Sequence, residues 1–429
     1  MNKKKVLIIV YYWPPAGGPG IQRWLKFVKY LPQFNVEPIV YHPSNPIYPQ
    51  IDNSLLDEVP INITILKQPI NEPYKLASLF SKKTTKTISK GIFPDEKKQT
   101  IVQKAMLFVR GNFFIPDARK NWINPSVKYL SSYIKDHDID TIITSGPPHS
   151  LHLIGLKLKH SMNVNWIADF RDPWTTIGYH KQLKLTKASR NKHKKLESEV
   201  LNNADTIIVT SNVTKTEFQC LTKKPIEVIT NGYDVETISS QVLDKQFTLA
   251  HIGSFLSKRN PEILWQALQE LVSENKDFAK CFKLNLVGLV GEEIINAIER
   301  NDLTKYLNNV GYVSHIESLG YQQKSQILLL VEIDSKDTKA IIPGKLFEYM
   351  VSNRPIIAIG PAGSDVESII NKTNTGDYFY YDALSELKMK LLVHFEAFKI
   401  GSLKANPIGV SQYSRENLTK KLSEVILKS

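Results

Sequence analysis

Lys345 and Glu348 stand one helical turn apart, after a Pro343-Gly344 turn and before the break Ser352-Asn353-Arg354-Pro355. An apolar run over 355–359 follows and ends at Gly360, the pattern of a short parallel strand buried on both faces. Backbone amides at the turn and the Lys345 ammonium can meet phosphate oxygens, while the Glu348 carboxylate can accept from two ribose hydroxyls. That chemistry suits a nucleotide-sugar. The same residues also suit a surface helix on a Rossmann sheet with an ordinary Lys–Glu pair, and this segment alone does not separate the two readings.

Three further places carry candidate chemistry. Pro14-Pro15-Ala16-Gly17-Gly18-Pro19-Gly20 follows an apolar run and opens a helix, so Gly18 lets backbone approach an anion closely. It is neither a Walker A loop nor a full G-x-G-x-x-G fingerprint, and a tight turn is the plainer alternative. Ser145-Gly-Pro-Pro-His149 and Asp169-Phe-Arg171-Asp172-Pro-Trp174 each lie past a predicted strand's carboxyl end, where open α/β sheets bind ligands. His149, Asp169 and Asp172 are therefore the candidates to position or deprotonate an acceptor hydroxyl. Their structural alternatives are a packed histidine, an Arg171–Asp169 pair and a turn-capping Asp172. In the second half, Lys258-Arg259 follows the apolar run 247–252; a fork-shaped guanidinium suits a diphosphate, and a solvated basic turn is the alternative. Gly363-Ser-Asp365-Val-Glu367 reads as a helix start, where acidic residues favour the macrodipole whether or not Glu367 meets a ligand.

The elements that must position these residues alternate. Strands are expected over 6–12, 36–41, 61–66, 140–145, 165–169, 206–210 and 227–230, with helices over 20–31, 127–135, 151–160 and 188–203. Between 72 and 119 the pattern dissolves into basic, Thr-rich and aromatic sequence. Alternation restarts at 247–253 and continues through 261–275, 282–287, 292–301, 310–312, 318–324 and 327–333. This predicts α/β architecture with doubly wound, mostly parallel sheets. Leu418, Leu422, Val425 and Ile426 have the spacing of a terminal helix.

Residues 343–360 resemble the donor-binding segment of glycosyltransferase family 4 and its GT-B relatives. Asn231-Gly-Tyr-Asp234 and Asp169-Phe-Arg-Asp-Pro-Trp174 also resemble signatures of that family, the latter of a bacterial surface-polysaccharide subgroup. The resemblance implies two Rossmann-like doubly wound domains facing across a cleft. These would be an acceptor domain over 1–235, a donor domain over 236–405, and a last helix over 406–429 crossing back to the first. It puts Gly18, Arg259, Lys345, Glu348 and Glu367 at the donor, with Glu348 on the ribose. Ser254 stands at the family's usual Arg and Ala340 at its usual first Glu, so the sugar contacts depart from the pattern. The implied activity is retaining transfer of a hexosyl group from a nucleoside diphosphate sugar to a glycan or lipid-linked acceptor, with no cofactor and no metal. A sugar-nucleotide epimerase of the same fold and a non-catalytic nucleotide-sugar-binding partner are the rival readings.

Size and composition agree with a two-domain globular protein. The chain has 429 residues, 42% hydrophobic and 23% charged, and no apolar run reaches the roughly 18 residues a membrane-spanning helix needs. Met1 to Val10 is read as a first strand entering a Gly loop instead of a signal peptide. Cys220 and Cys281 lack metal-ligand spacing and suggest reduced thiols, hence a cytoplasmic setting. The net charge of +13 is unevenly placed: residues 1–235 hold 33 Lys+Arg against 19 Asp+Glu, and the remainder 22 against 23. No nucleic-acid-binding motif accompanies the basic half. The asymmetry predicts peripheral association with an anionic membrane surface at the inner face of the plasma membrane.

Overall fold

The computed structural model describes residues 3–72, 100–181, 183–234 and 241–428. Two compact units result, Met1–Thr230 with Arg415–Ser429, and Asn231–Ser414. Each is a parallel α/β sheet with helices on both faces.

The first unit has seven strands: β1 (Lys4–Ile9), β2 (Val36–Pro43), β3 (Thr64–Gln68), β4 (Thr141–Gly146), β5 (Asn165–Phe170), β6 (Thr206–Val209) and β7 (Ile226–Val228). Their order is β3-β2-β1-β4-β5-β6-β7, and every pairing is parallel. Burial on both faces explains the near-continuous apolar runs. Leu7, Ile9 and Tyr11 enter one core layer, while Val6, Ile8 and Val10 enter the opposite one, as a period of two requires. The terminal helix Arg415–Lys428 lies on this second layer: Leu418, Leu422 and Ile426 pack with Trp24, Leu25 and Val28 of the helix Pro19–Tyr30.

The second unit has six strands: β8 (Phe247–Ile252), β9 (Phe282–Val287), β10 (Leu307–Gly311), β11 (Ile327–Val331), β12 (Ile356–Ile359) and β13 (Gly376–Phe379). Their order is β10-β9-β8-β11-β12-β13, again all parallel. Strand order reverses between β1 and β4 in the first sheet and between β8 and β11 in the second. Ligands bind outside the carboxyl ends of the strands at such points.

One expectation is corrected in part. The patternless stretch after Glu72 contains a helix, Ile101–Phe113, opened by a capping box in which Thr100 and Gln103 satisfy each other's backbone amides. Lys82-Lys83 and Lys97-Lys98 of that stretch lie outside the described residues.

Candidate functional site

In the first unit, Arg171 joins the two loops at the β1/β4 reversal. Its Nη1 donates to the Gly20 carbonyl at 2.9 Å and its Nη2 to the Pro147 carbonyl at 2.5 Å. A Cβ at Gly20 would strike the Arg171 guanidinium, so Gly20 is the glycine that makes room here. Gly18 has φ 109° at the start of the helix Pro19–Tyr30, and a Cβ there would meet open space. Its requirement for glycine is therefore conformational.

His149 stands just before the helix Ser150–Ser161, buried, with its ring stacked on Trp174 at a centroid distance of 4.8 Å. Neither ring nitrogen has a hydrogen-bond partner among the described residues. Burial first, then His152, His180, His193 and Arg171, hold it well below the usual histidine range, so the ring is neutral. Asp117 steadies the same turn by accepting from the Ser150 amide at 2.8 Å and from its hydroxyl at 2.7 Å. Asp172 is half-buried beside Arg171, and burial pushes its carboxyl up. A raised carboxyl is a better proton acceptor than an ordinary one.

Asp169 differs from its two companions. It is fully buried, and it takes a two-point contact from Arg23, at 2.8 and 3.3 Å, together with Trp24 Nε1 at 2.9 Å and Ser145 Oγ at 2.7 Å. Burial works against its charge, but the Arg23 pairing wins and holds the carboxyl below its ordinary value. Four donors on its oxygens and a lowered carboxyl make it a poor base, and its contacts hold neighbouring elements together.

In the second unit, Lys345 opens the helix Lys345–Val351, and its Nζ reaches back over β8 to His251 Nε2 at 3.0 Å. Burial first, then the Arg259 charge, lower the Lys345 ammonium to about 7, against the pull of Glu348. Arg259 is half-buried on the turn Ser257–Arg259, and its Nε has no hydrogen-bond partner among the described residues. Glu348 is held by Gln322 Nε2 at 2.9 Å. Two cations thus stand near each other without an ion pair among the described residues, Glu332 acting on Arg259 and Glu348 on Lys345 through space, and an anionic ligand would complete the arrangement.

Glu367 does not join this group. Its oxygens accept from the Gly363 amide at 2.8 Å and the Tyr380 hydroxyl at 2.6 Å, so it closes the start of its own helix, Asp365–Thr373. A carboxyl absent from the sequence reading, Glu332, lies buried at the end of β11. It accepts from Ser364 Oγ and Tyr378 OH, both at 2.7 Å, and burial raises it to about 7. Its signal was a charge placed directly after the apolar run Ile327–Val331.

Residues 93–237 match the sequence model of Glycosyltransferase Family 4. No curated protein matches the chain. Among solved structures, sucrose-phosphate synthase from Thermosynechococcus elongatus is similar with TM-score 0.60 at 12% identity, covering 99% of both chains. The lipopolysaccharide outer core galactosyltransferase WaaB gives 0.58 at 15%, also covering 99% of both. An S. aureus TarM mutant, solved with Fondaparinux, alpha-GlcNAc-glycerol and UDP, gives 0.56 at 13%, covering 99% of this chain and 98% of that one. The chain has the GT-B fold, and within it residues 93–237 are similar to Glycosyltransferase Family 4. At these identities the structural neighbours speak for the fold alone, and the sequence match lies mainly within the first unit. Ser254 carries no charge, and Arg259 and Lys345 are positive side chains beside the end of β8.

Proposed function

We propose that this chain is a glycosyltransferase whose second unit holds a nucleoside diphosphate sugar and whose first unit holds a glycan or lipid-linked acceptor. The observation that carries this reading is the pair of cations, Lys345 and Arg259, without an ion pair among the described residues at the carboxyl end of β8 where the second sheet reverses. Their charge would stabilise the leaving diphosphate without a metal. Asp172 would take the acceptor proton, and the neutral His149 ring would orient the hydroxyl. Retention of anomeric configuration, a hexosyl donor and a place in cell-surface polysaccharide synthesis complete the proposal. Incubation with a panel of nucleotide-sugars tests it: slow donor hydrolysis supports transfer, an epimerised product supports the epimerase reading, and binding without turnover supports a non-catalytic role.

Glu348→Ala should weaken donor binding about 10- to 100-fold, since hydrogen bonds to a charged group contribute roughly 1.5–3 kcal/mol. Calorimetry with the folded variant decides this, and an unchanged affinity would remove Glu348 from the ribose.

Peripheral membrane association belongs to the same proposal. No helix among the described residues is long and apolar enough to cross a membrane. The helix Ile101–Phe113 nevertheless exposes Ile101 (86%), Phe108 (40%) and Phe113 (64%) near Lys104 and Arg110. These apolar positions, with the basic excess of residues 1–235, fit a lipid surface of negative charge. Vesicles containing anionic lipid should bind the full chain at low salt and release it as the Debye length falls from roughly 10 Å at 0.1 M towards 3 Å at 1 M. Equal binding to neutral vesicles would contradict the electrostatic part of this reading.

A further inference from the structure

His251, last but one in the largely apolar strand β8, has a polar ring that is 1% exposed and stacked on Phe255 at a centroid distance of 4.1 Å. Its Nδ1 lies 3.1 Å from the Leu329 carbonyl of the neighbouring strand β11. Both ring nitrogens lie near a carbonyl, Nε2 being 3.4 Å from that of Ser254, and the shorter contact to Leu329 places the proton on Nδ1 and leaves Nε2 its lone pair. That lone pair faces Lys345 Nζ at 3.0 Å. Burial and the Lys345 charge hold the ring well below the usual histidine range, so it remains a neutral acceptor.

The lysine is placed as closely as the histidine. A Cβ at Gly253 would lie 2.9 Å from Lys345 Nζ, and this glycine has φ +105°. Its absent side chain is the space the ammonium occupies. The charged or titratable groups acting on Lys345 are His251, Arg259 and Glu348, and Glu348 is turned to Gln322.

We propose that His251 is a positioning residue for Lys345, a neutral acceptor that aims the ammonium over Gly253 without cancelling its charge, so that an anionic ligand must supply the counter-charge. This rests on reading the site as a diphosphate site. A carboxylate at 251 would aim the lysine but neutralise it. An apolar ring would leave the ammonium without an acceptor. The low proton affinity of Lys345 in the empty site, about 7, agrees with this arrangement. A dianion that binds there raises that affinity again, so binding takes up a proton. Affinity is then full below about pH 7 and falls above it, by up to about tenfold per pH unit.

The test uses the full chain with carbon-13-labelled lysine, the Lys345 resonance being assigned by Lys345→Met. Without ligand, the wild-type Lys345 should titrate near 7. His251→Phe keeps a ring on Phe255 and removes the acceptor, so the midpoint should fall by about one pH unit or more. UDP affinity at pH 7.5 should fall about tenfold with it. His251→Gln, whose carbonyl reaches the place of Nε2, should bring both values back towards wild type. An unmoved midpoint in folded His251→Phe overturns the proposal, because packing alone predicts lost stability with an unchanged titration. If that variant does not fold, His251→Met makes the same comparison. Failure of wild type to bind UDP or inorganic pyrophosphate at any pH would defeat the donor-site reading, while the Lys345 midpoint would still decide the part played by His251.

Discussion

Asp169→Ala is expected to lower the urea midpoint of the first unit sharply, at a cost of about 3–5 kcal/mol, because it leaves a buried guanidinium unpaired. Arg23 is 2% exposed and Asp169 is fully buried, and the arginine also donates to the Ile229 and Thr230 carbonyls at 2.8 and 2.9 Å. One side chain therefore ties the helix Pro19–Tyr30 to β5 and to the segment that leaves the first unit. Arg23→Ala should cost a similar amount, and the double variant should cost less than the two singles added, since both remove the same contact. The pH dependence has a definite sign. The folded carboxyl sits below its ordinary value, so its contribution is present above the unfolded pKa and is lost as pH falls through the folded one. A folded Asp169→Ala with wild-type stability and no turnover would return this residue to the catalytic group.

That case shows how much of the site was legible in sequence. The motif Asp169-Phe-Arg-Asp-Pro-Trp174 marked a strand end correctly, and three carboxylate or cationic groups there invited a catalytic reading. The neighbours of Asp169 decide its part, and Arg23 and Trp24 are brought to it by the pairing of β1, β4 and β5, which no local pattern encodes. Glu367 illustrates the same point at short range: its helix-capping contact was readable, and only the Tyr380 hydroxyl from beyond β13 was not. The strands themselves were clear wherever both faces are buried, as in β8, β11 and the Val6–Ile9 part of β1, because such stretches are largely apolar. The helix Ile101–Phe113 escaped notice because its exposed face is apolar as well, which blurs the 3.6-residue period, although Thr100 and Gln103 gave a start signal. The terminal helix shows a clear spacing, but spacing cannot say which unit it covers. Burial of Leu418, Leu422 and Ile426 against Val28 and Val6 answers that.

Lys345→Met is expected to reduce kcat/KM for the nucleotide-sugar by about 10²–10³, the loss typical when one preorganised donor to a developing anion is removed. Methionine retains most of the aliphatic stem and the packing over Gly253, so the fold should survive. The variant also separates charge from shape through pH. In wild type the ammonium is lowered to about 7, first by burial and then by Arg259, so the free site loses this charge as pH rises through that value. Activity at low donor concentration should therefore decline above pH 7 in wild type, whereas Lys345→Met should show a much shallower limb. Both measurements belong in EDTA. A wild type inactive in EDTA and restored by Mg²⁺ would show that a metal carries the diphosphate charge, and a Lys345→Met profile that keeps the decline would move the titrating group elsewhere. Arg259 offers the remaining cation at this strand end, and its guanidinium does not titrate over the same range. Glu332, raised to about 7 and acting on Arg259, ionises over that range too, so the part of the decline that vanishes in Lys345→Met belongs to Lys345 and any part that stays belongs to Glu332.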